Sequence, residues 1–215
     1  MKQSDKIAAR GKEKILNAAE SLFATEGYYG ASLRGITRAA GVELGLSSYH
    51  FRSKDELYRQ VLRRRAPAMA YDLTSALSAK GNYTGPDTAV RRILAAYAGV
   101  HFAKLFSADS GWRSYVRLAA QAALLLKRVG VTNSAAEIYT PVIESYKDAL
   151  AVALPRTDRE IIDRQFYVFQ MSLFGIVLDV SGTDSTDRSH EILHKTVVDI
   201  FAAAFCAAAD EPPRR

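Results

Sequence analysis

The sequence predicts an all-α protein of about nine helices, with three short helices at the front and six behind. Two observations predict this fold class. Apolar residues recur at helical spacing along most of the chain, and no segment alternates β-branched with polar residues as a half-buried strand does. Short clusters of Gly, Pro, Ser and Asp separate the periodic segments. With 215 residues, 48% of them hydrophobic, the chain can bury a substantial core.

The apolar stripes and the breakers between them set the predicted limits of the helices. In the first helix, the stripe runs from Ile15 to Phe23, and the Gly27–Gly30 segment ends it. The polar segment from Gly81 to Pro86 is the clearest break. The predicted helices are Ile7–Thr25, Leu33–Ala40, Leu44–His50, Lys54–Ala79, Asp87–Phe106, Ser110–Arg128, Asn133–Ala153, Thr157–Val180 and Ser185–Ala209.

Capping residues support the front helices. Ser32 is a favourable N-cap for the second helix, and Gly41 is placed to end it in a left-handed conformation. Two S/T-x-x-E patterns predict capping boxes, Ser53 with Glu56 and Thr157 with Glu160. Pro67 lies inside the fourth predicted helix, where we expect it to kink or interrupt the helix.

The net charge of +6 is concentrated in the first third of the chain. Residues 1–65 hold 13 Lys and Arg against 7 Asp and Glu, whereas the remaining residues hold 16 of each. Such a local excess is typical of a surface that meets a polyanion, either nucleic acid or an anionic membrane surface, although a solvated face can carry it too. The single cysteine, Cys206, excludes an internal disulfide and a multi-cysteine zinc site.

Several protein classes are not expected from this sequence. The polar N-terminus has no apolar signal segment, and the apolar stretch from Phe201 to Ala209 is too short to span a bilayer, so we expect a cytoplasmic protein. No Gly-rich phosphate loop or nucleophile motif is present, which argues against an enzyme. His190 and His194, four residues apart near the start of a predicted helix, have a spacing that can bind a metal, but further ligands are lacking, so a metal site is not favoured. We expect no cofactor and no metal.

Two short helices joined by a glycine turn, preceded by a packing helix, are typical of a helix-turn-helix. The second of the two helices must enter the major groove, so its outward residues are small or polar. Ser32, Tyr49, His50 and Lys54 flank it and can contact phosphates. Lys54 begins the fourth helix, where free backbone N–H groups already favour an anion.

The run from Ile15 to Leu57 resembles the N-terminal signature of the TetR family of bacterial transcriptional regulators. The matching residues are Ile15-Leu16, Ala18-Ala19, Leu22-Phe23, Gly27-Tyr28, Ser32-Leu33, Ile36, Ala39, Gly41-Val42, Gly45, Tyr49-His50-Phe51, Ser53-Lys54-Asp55 and Leu57. Departures are Thr37 in place of the frequent Ala, and Ser47 and Ser48 in place of an apolar residue and an Asn or Tyr. The resemblance implies a helix-turn-helix domain over residues 1–53 and a helical effector-binding and dimerisation domain over 54–215, connected by helix 54–79.

The resemblance also implies DNA contacts from the second and third helices. In this interpretation Arg34 reads guanine, and Leu44 and Leu46 pack on thymine methyl groups. Tyr49 and His50 could instead pack beneath the third helix, and Arg34 could be an ordinary surface residue. The Arg63–Arg65 run and the basic arm of Lys2, Lys6 and Arg10 are further, weaker candidates for backbone contacts. The predicted DNA-contacting residues are Ser32, Arg34, Leu44, Gly45, Leu46, Ser47, Ser48, Tyr49, His50 and Lys54.

For the second domain, the resemblance implies a homodimer that is formed by the last two helices and encloses a pocket for a small hydrophobic or aromatic effector. The candidates for the effector site are Phe102, Phe106, Trp112, Tyr115, Gln121, Tyr139, Tyr167 and Met171, any of which could instead fill the core. The function expected is that of a repressor released from a palindromic operator DNA by its effector. The alternatives are an activator, or a helical protein that binds polyanions or membrane surfaces without sequence preference.

Overall fold

The computed structural model of the chain describes residues 3–79, 85–125, 135–180 and 187–210. No strand occurs in these ranges, and the all-α fold class is confirmed. The helices are α1 (Gln3–Gly30), α2 (Leu33–Ala40), α3 (Leu44–His50), α4 (Lys54–Ser78), α5 (Pro86–Leu105), α6 (Ser110–Leu125), α7 (Ala136–Ala153), α8 (Arg159–Asp179) and α9 (Asp187–Asp210). Except in α1, the predicted limits agree within two residues wherever the structure describes them. The predicted ends at Arg128, Asn133 and Ser185 lie outside the described residues.

The chain divides into two compact units. Unit 1 comprises Met1–Ala66 and Ser107–Ala136, and unit 2 comprises Pro67–Phe106 and Glu137–Arg215. Unit 1 therefore holds α6 in addition to the three front helices and the first half of α4. The two units are not the two predicted domains, 1–53 and 54–215. The predicted domains describe where DNA binding and effector binding are expected, and they remain a prediction.

Large apolar side chains fill the core of unit 1. Phe23, Ile36, Phe51 and Tyr58 are almost completely buried there, and Leu118 of α6 joins them. Full burial of one such apolar side chain is worth about 1.5–3 kcal/mol. The helix-turn-helix is thus held by α1, α4 and α6 together.

The predicted caps of α2 are confirmed. The Oγ of Ser32 accepts a hydrogen bond from the Gly35 N–H at 3.0 Å. Gly41 ends the helix with φ 62° and ψ 42°, a conformation that glycine adopts at little steric cost. These two residues fix the limits of the helix and hence the direction in which its side chains project.

Helix α1 is longer than the stripe predicts, since it extends to Gly30 instead of ending at Thr25. Gly27 interrupts its helical geometry with φ 73° and ψ 174°. The glycine signal therefore produces a kink instead of an end. Just beyond the kink, the Lys54 ammonium group donates hydrogen bonds to the carbonyl oxygens of Tyr28 and Ala31, at 2.9 and 3.2 Å.

One predicted capping box forms in part and the other does not form. At α4, Ser53 Oγ accepts from the Glu56 N–H at 3.1 Å, while the Glu56 carboxylate accepts from Arg52 N–H, one residue before the expected partner. The box predicted for Thr157 and Glu160 is wrong. Helix α8 begins at Arg159 after Asp158, because Thr157 is held in the preceding turn by a hydrogen bond from its N–H to the Leu154 carbonyl.

Pro67 does not interrupt α4, which continues from Lys54 to Ser78. Proline lacks the N–H that would bond to the carbonyl four residues earlier, so the helix loses one hydrogen bond there. The division between the two units falls immediately before this residue, between Ala66 and Pro67.

The core of unit 2 is built from aromatic rings on α5, α7 and α8. Around Tyr97, the rings of Tyr146, Phe166 and Phe169 lie with centroids 5.0, 5.3 and 5.9 Å away. The Tyr146 hydroxyl donates a hydrogen bond to the Leu73 carbonyl at 2.7 Å, which attaches α7 to the second half of α4. Each buried hydroxyl of this kind needs such a partner, since an unpaired one costs about 1–3 kcal/mol.

Candidate nucleic-acid interface

Several residues of the helix-turn-helix are exposed on α2 and α3. Ser32 and Arg34 are exposed on the first turn of α2, and Ser48 and Tyr49 are exposed on α3. Tyr49 has 77% of its surface exposed, and Leu44 has 44%. Either of these exposed side chains could contact bases in a DNA groove. These placements agree with the predicted roles, which remain untested.

Two of the predicted base contacts face inward instead. Ser47 is completely buried, so in this conformation its hydroxyl cannot reach a base edge or a phosphate. Leu46 packs against the core of unit 1 and lies over Gly11, where an added Cβ would come within 2.5 Å of Leu46 Cδ2. The signal for Ser47 was present in the sequence, because its position usually carries an apolar residue in the family.

Two of the predicted phosphate contacts, His50 and Lys54, have internal roles. Lys54 bonds to carbonyls at the end of α1, and its ammonium lies 4.4 Å from the centre of the Tyr28 ring. Two of its three N–H donors are thus used, which leaves one for an anion. The Nε2 atom of His50 is sealed from solvent without a hydrogen-bond partner. A phosphate contact through that atom would require the ring to turn.

The structure adds two arginines that sequence reasoning missed. Arg38 is exposed four residues after Arg34 on α2, and Arg52 is exposed in the loop after α3. Among the described residues no ion pair involves Arg34, Arg38 or Arg52. An unpaired guanidinium keeps its full charge available for a phosphate or a guanine. Helical spacing from Arg34 could have indicated Arg38.

The other basic candidates are less available. Arg64 pairs with Glu13 at 3.0 Å, and Arg65 donates to both carboxylate oxygens of Glu20 at 3.2 Å. Burial raises the pKa of the Glu20 carboxyl, and the charge of Arg65 opposes that rise. Of the predicted basic arm, Arg10 is exposed on α1, whereas Lys2 and the side chain of Lys6 lie outside the described residues.

Three of the predicted effector residues lie in unit 1 as structural contacts. The Tyr115 hydroxyl donates to the Leu62 carbonyl at 3.0 Å, and the Gln121 amide donates to the Ala24 carbonyl at 2.9 Å. The Trp112 ring lies 5.0 Å below the Arg65 guanidinium. These contacts bind α6 to α1 and α4 within unit 1.

The remaining effector candidates lie in unit 2. Phe102 is buried, and its ring stacks 6.1 Å from Phe106. Tyr139 and Met171 are partly buried, and Tyr167 is half exposed on α8. The structure therefore leaves their role in ligand binding a prediction.

A buried polar cluster in unit 2 was missed altogether. It consists of Tyr97 and His101 on α5 and Gln170 on α8. The Gln170 amide donates to the Tyr97 hydroxyl at 2.6 Å, and His101 Nδ1 lies 2.8 Å from the Tyr97 carbonyl oxygen. Burial lowers the pKa of His101 to about 4, although the backbone hydrogen bond opposes the shift. The ring is therefore neutral at pH 7.

The last two helices carry exposed apolar side chains. Ile192 and Ile200 on α9 are each 59% exposed, and Tyr167 and Val168 on α8 are each about half exposed. Residues 159–179 and 190–209 are long and apolar enough to cross a membrane by length and composition alone. The core helices of water-soluble proteins are often equally long and apolar, so this property alone does not indicate that either helix spans a membrane. Within the described part of the chain, no three His, Cys, Asp or Glu side chains come together as metal ligands.

Comparison with known proteins identifies the front of the chain. Residues 15–61 match the family described as bacterial regulatory proteins, tetR family. Over 66 residues the chain is 38% identical to the HTH-type transcriptional repressor Rv1474c of Mycobacterium tuberculosis (strain ATCC 25618 / H37Rv). The match covers 31% of this chain and 35% of that repressor, so it spans about a third of the curated relative.

Solved structures share the fold over nearly the whole chain. The fatty acid degradation regulator FadR of Bacillus halodurans gives a TM-score of 0.64 at 19% identity, over 89% of this chain and 94% of its own. FadR of Bacillus subtilis, solved with stearoyl-CoA, gives 0.57 at 14% identity, over 89% and 97%. A TetR-family regulator of Mesorhizobium loti MAFF303099 gives 0.55 at 15% identity, over 92% and 97%. The front of the chain thus matches the tetR-family model over residues 15–61, and the chain as a whole shares the fold of these solved regulators.

Proposed function

We propose that this protein is a dimeric, sequence-specific DNA-binding transcriptional repressor, released from its operator by a small apolar effector. One observation carries the proposal. Helices α2 and α3 expose Arg34, Ser48 and Tyr49, while Ile36 and Leu46 of the same helices pack in the core of unit 1. A rigid, exposed pair of helices with polar and aromatic side chains fits the major groove.

Charge supports a nucleic-acid partner for this surface. The whole excess of +6 lies within residues 1–65. Arg34, Arg38 and Arg52 are exposed there, and Arg34 can pair with guanine O6 and N7. Contacts from the other two arginines to phosphates would position the helix without specifying sequence. The similarity to a curated repressor over this segment favours repression over activation.

The apolar surfaces of α8 and α9 support a homodimer. Tyr167 and Val168 on α8 and Ile192 and Ile200 on α9 leave apolar area in water that a second copy would cover. Burial between copies also explains why these two helices are apolar enough to resemble membrane spans. A two-fold dimer would place one helix-turn-helix on each half-site of a palindromic operator. Its place of action would be the bacterial cytoplasm, where the DNA is.

The aromatic core of unit 2 supports an apolar effector. Its α5, α7 and α8 rings surround a few buried polar groups, a composition common in small-molecule sites. Stearoyl-CoA, found with one solved relative, belongs in any first panel of effectors. At 14% identity that relative shows the fold alone, so its ligand is only a compound to test.

The proposal is tested by measuring the affinity of the full chain for the DNA upstream of its own gene, at two salt concentrations. We expect Arg34→Ala to weaken specific binding by about tenfold or more, because a bidentate guanine contact contributes about 1–3 kcal/mol. The matched control is Arg156→Ala, which removes the same charge from an exposed site between α7 and α8. Equal weakening by both variants, or equal binding to any duplex, would contradict the assignment.

A further inference from the structure

The Tyr97–His101–Gln170 cluster leaves hydrogen-bonding capacity unused inside an aromatic core. His101 is 6% exposed and Gln170 is 7% exposed. Because His101 Nδ1 faces a carbonyl oxygen, the neutral ring must carry its hydrogen on Nδ1. The other nitrogen, Nε2, is then a lone-pair acceptor, and it has no partner among the described residues.

The two other members of the cluster are also incompletely used. Gln170 donates through its amide nitrogen, so its carbonyl oxygen remains a free acceptor among the described residues. Tyr97 accepts that hydrogen bond and keeps its own O–H as a donor. Neither His101 Nε2 nor Gln170 Oε1 is among the polar side-chain atoms sealed from solvent without a partner. Both acceptor atoms therefore keep some contact with solvent, although their residues are more than nine-tenths buried.

A ligand group that replaces water at these acceptors gains affinity, because a hydrogen bond in an apolar, low-dielectric surrounding is stronger than one in water. A hydroxyl is complementary here, because it can donate to His101 Nε2 or Gln170 Oε1 and accept from Tyr97 O–H. A carboxylate has no hydrogen to donate and would face two lone pairs instead. The surroundings are aromatic, with Phe174 centred 5.6 Å from the His101 ring and Tyr146 5.0 Å from Tyr97.

We propose that this cluster is the polar end of the effector site and that it selects an uncharged aromatic molecule bearing a hydroxyl group. The inference rests on the proposed function, since it specifies the effector of the same regulator. His101 acts as the acceptor that distinguishes a hydroxyl from an ether or a carboxylate. Burial keeps the His101 ring neutral and keeps the Tyr97 hydroxyl protonated, since the pKa of Tyr97 is raised.

The test compares three probes that carry different substituents at the same position of one naphthalene ring: 2-naphthol, 2-methoxynaphthalene and 2-naphthoate, each with the full-length protein at pH 7.5. Calorimetric titration is expected to give a dissociation constant for 2-naphthol about tenfold below those of the other two, the value of one hydrogen bond. In His101→Phe, which keeps a ring but removes the acceptor, the preference is expected to disappear. In Tyr115→Phe, which removes a buried hydroxyl that is bonded to the Leu62 carbonyl in unit 1, the preference is expected to remain.

A second measurement does not depend on a variant that folds. The ¹⁵N resonance of His101 Nε2 in the wild-type protein is expected to move on addition of 2-naphthol and to stay in place with 2-methoxynaphthalene. No preference for 2-naphthol in wild type, or an unmoved resonance, would overturn the proposal. Operator binding by the same preparations separates the effector hypothesis from the regulator hypothesis. If the protein binds operator DNA but shows no preference for 2-naphthol, the proposed effector class is wrong and the proposed DNA-binding function is retained.

Discussion

Replacing Ser47 with alanine is expected to stabilise the protein, although it removes a polar group from the helix predicted to read DNA. Ser47 is completely buried, and its hydroxyl has no hydrogen-bond partner. Such an orphan costs about 1–3 kcal/mol, and alanine is about 0.5 kcal/mol better than serine in a helix interior. Removing one oxygen leaves little empty space, so we expect a net gain of about 2 kcal/mol.

The assay is unfolding by urea and by heat, with Ser48→Ala as the matched control. Ser48 is the next residue on α3 and is exposed, so its replacement changes only helix propensity, by about 0.5 kcal/mol. A gain of about 2 kcal/mol in Ser47→Ala corresponds to a rise in Tm of about 4–8 °C for a chain of this size. Equal effects of the two variants, or a loss of stability in Ser47→Ala, would refute the burial of an unpaired hydroxyl.

Three further predictions concern pH, backbone strain and assembly. The pKa of His101 is about 4 in the folded protein and 6.5 in an unfolded chain, so the unfolded chain takes up the proton first as the pH falls. The free energy of unfolding is therefore expected to fall by about 3 kcal/mol between pH 6.5 and pH 4. Urea unfolding midpoints measure this fall, and the His101→Phe variant is expected to lack it. Gly27→Ala is expected to cost about 1–3 kcal/mol by thermal unfolding, since φ is 73° there and nothing lies within 4 Å of an added Cβ, so an unchanged Tm would contradict the kink. Ile200→Glu places a charge on the exposed apolar surface of α9 and is expected to sediment as a monomer. The control Val152→Glu, at an exposed position on α7, is expected to remain a dimer. A dimeric Ile200→Glu protein would mean that the dimer interface lies elsewhere.

The helix-turn-helix could be predicted from sequence because its signals are local. Ser32 and Gly41 fix both ends of α2 through bonds and dihedrals within a few residues, and the structure confirms both. Local reasoning failed where a competing nearby bond exists. Thr157 was predicted to cap α8, but the turn closed by the Leu154 carbonyl holds it outside the helix.

The placement of α6 could not be predicted, because it depends on contacts between residues far apart in the chain. Tyr115 bonds to Leu62 and Gln121 bonds to Ala24, separations of 53 and 97 residues. An aromatic and amide stripe on a helix looks the same in sequence whether it lines a pocket or fastens one helix to another. The same ambiguity concealed Tyr97, His101 and Gln170, whose proximity arises only when α5 packs against α8.

The inward placement of Ser47 and Leu46 shows the limit of carrying residue roles across a family. The fold of α3 was predicted correctly, from Leu44 to His50, yet a seven-residue helix turns some of its side chains to the core. Which ones turn inward is decided by packing on α1, where Gly11 makes room for Leu46. The exposed positions, Leu44, Ser48 and Tyr49, are therefore the ones to test on DNA.

The most direct test of the account is selection of binding sites from random duplex DNA by the full-length protein. If α2 and α3 of a two-fold dimer read sequence, repeated selection enriches an inverted repeat, and Arg34→Ala relaxes the preference at one position in each half. Retention of all duplexes alike, with no sequence enriched, would contradict the central claim and leave a basic helical protein that binds polyanions without reading them.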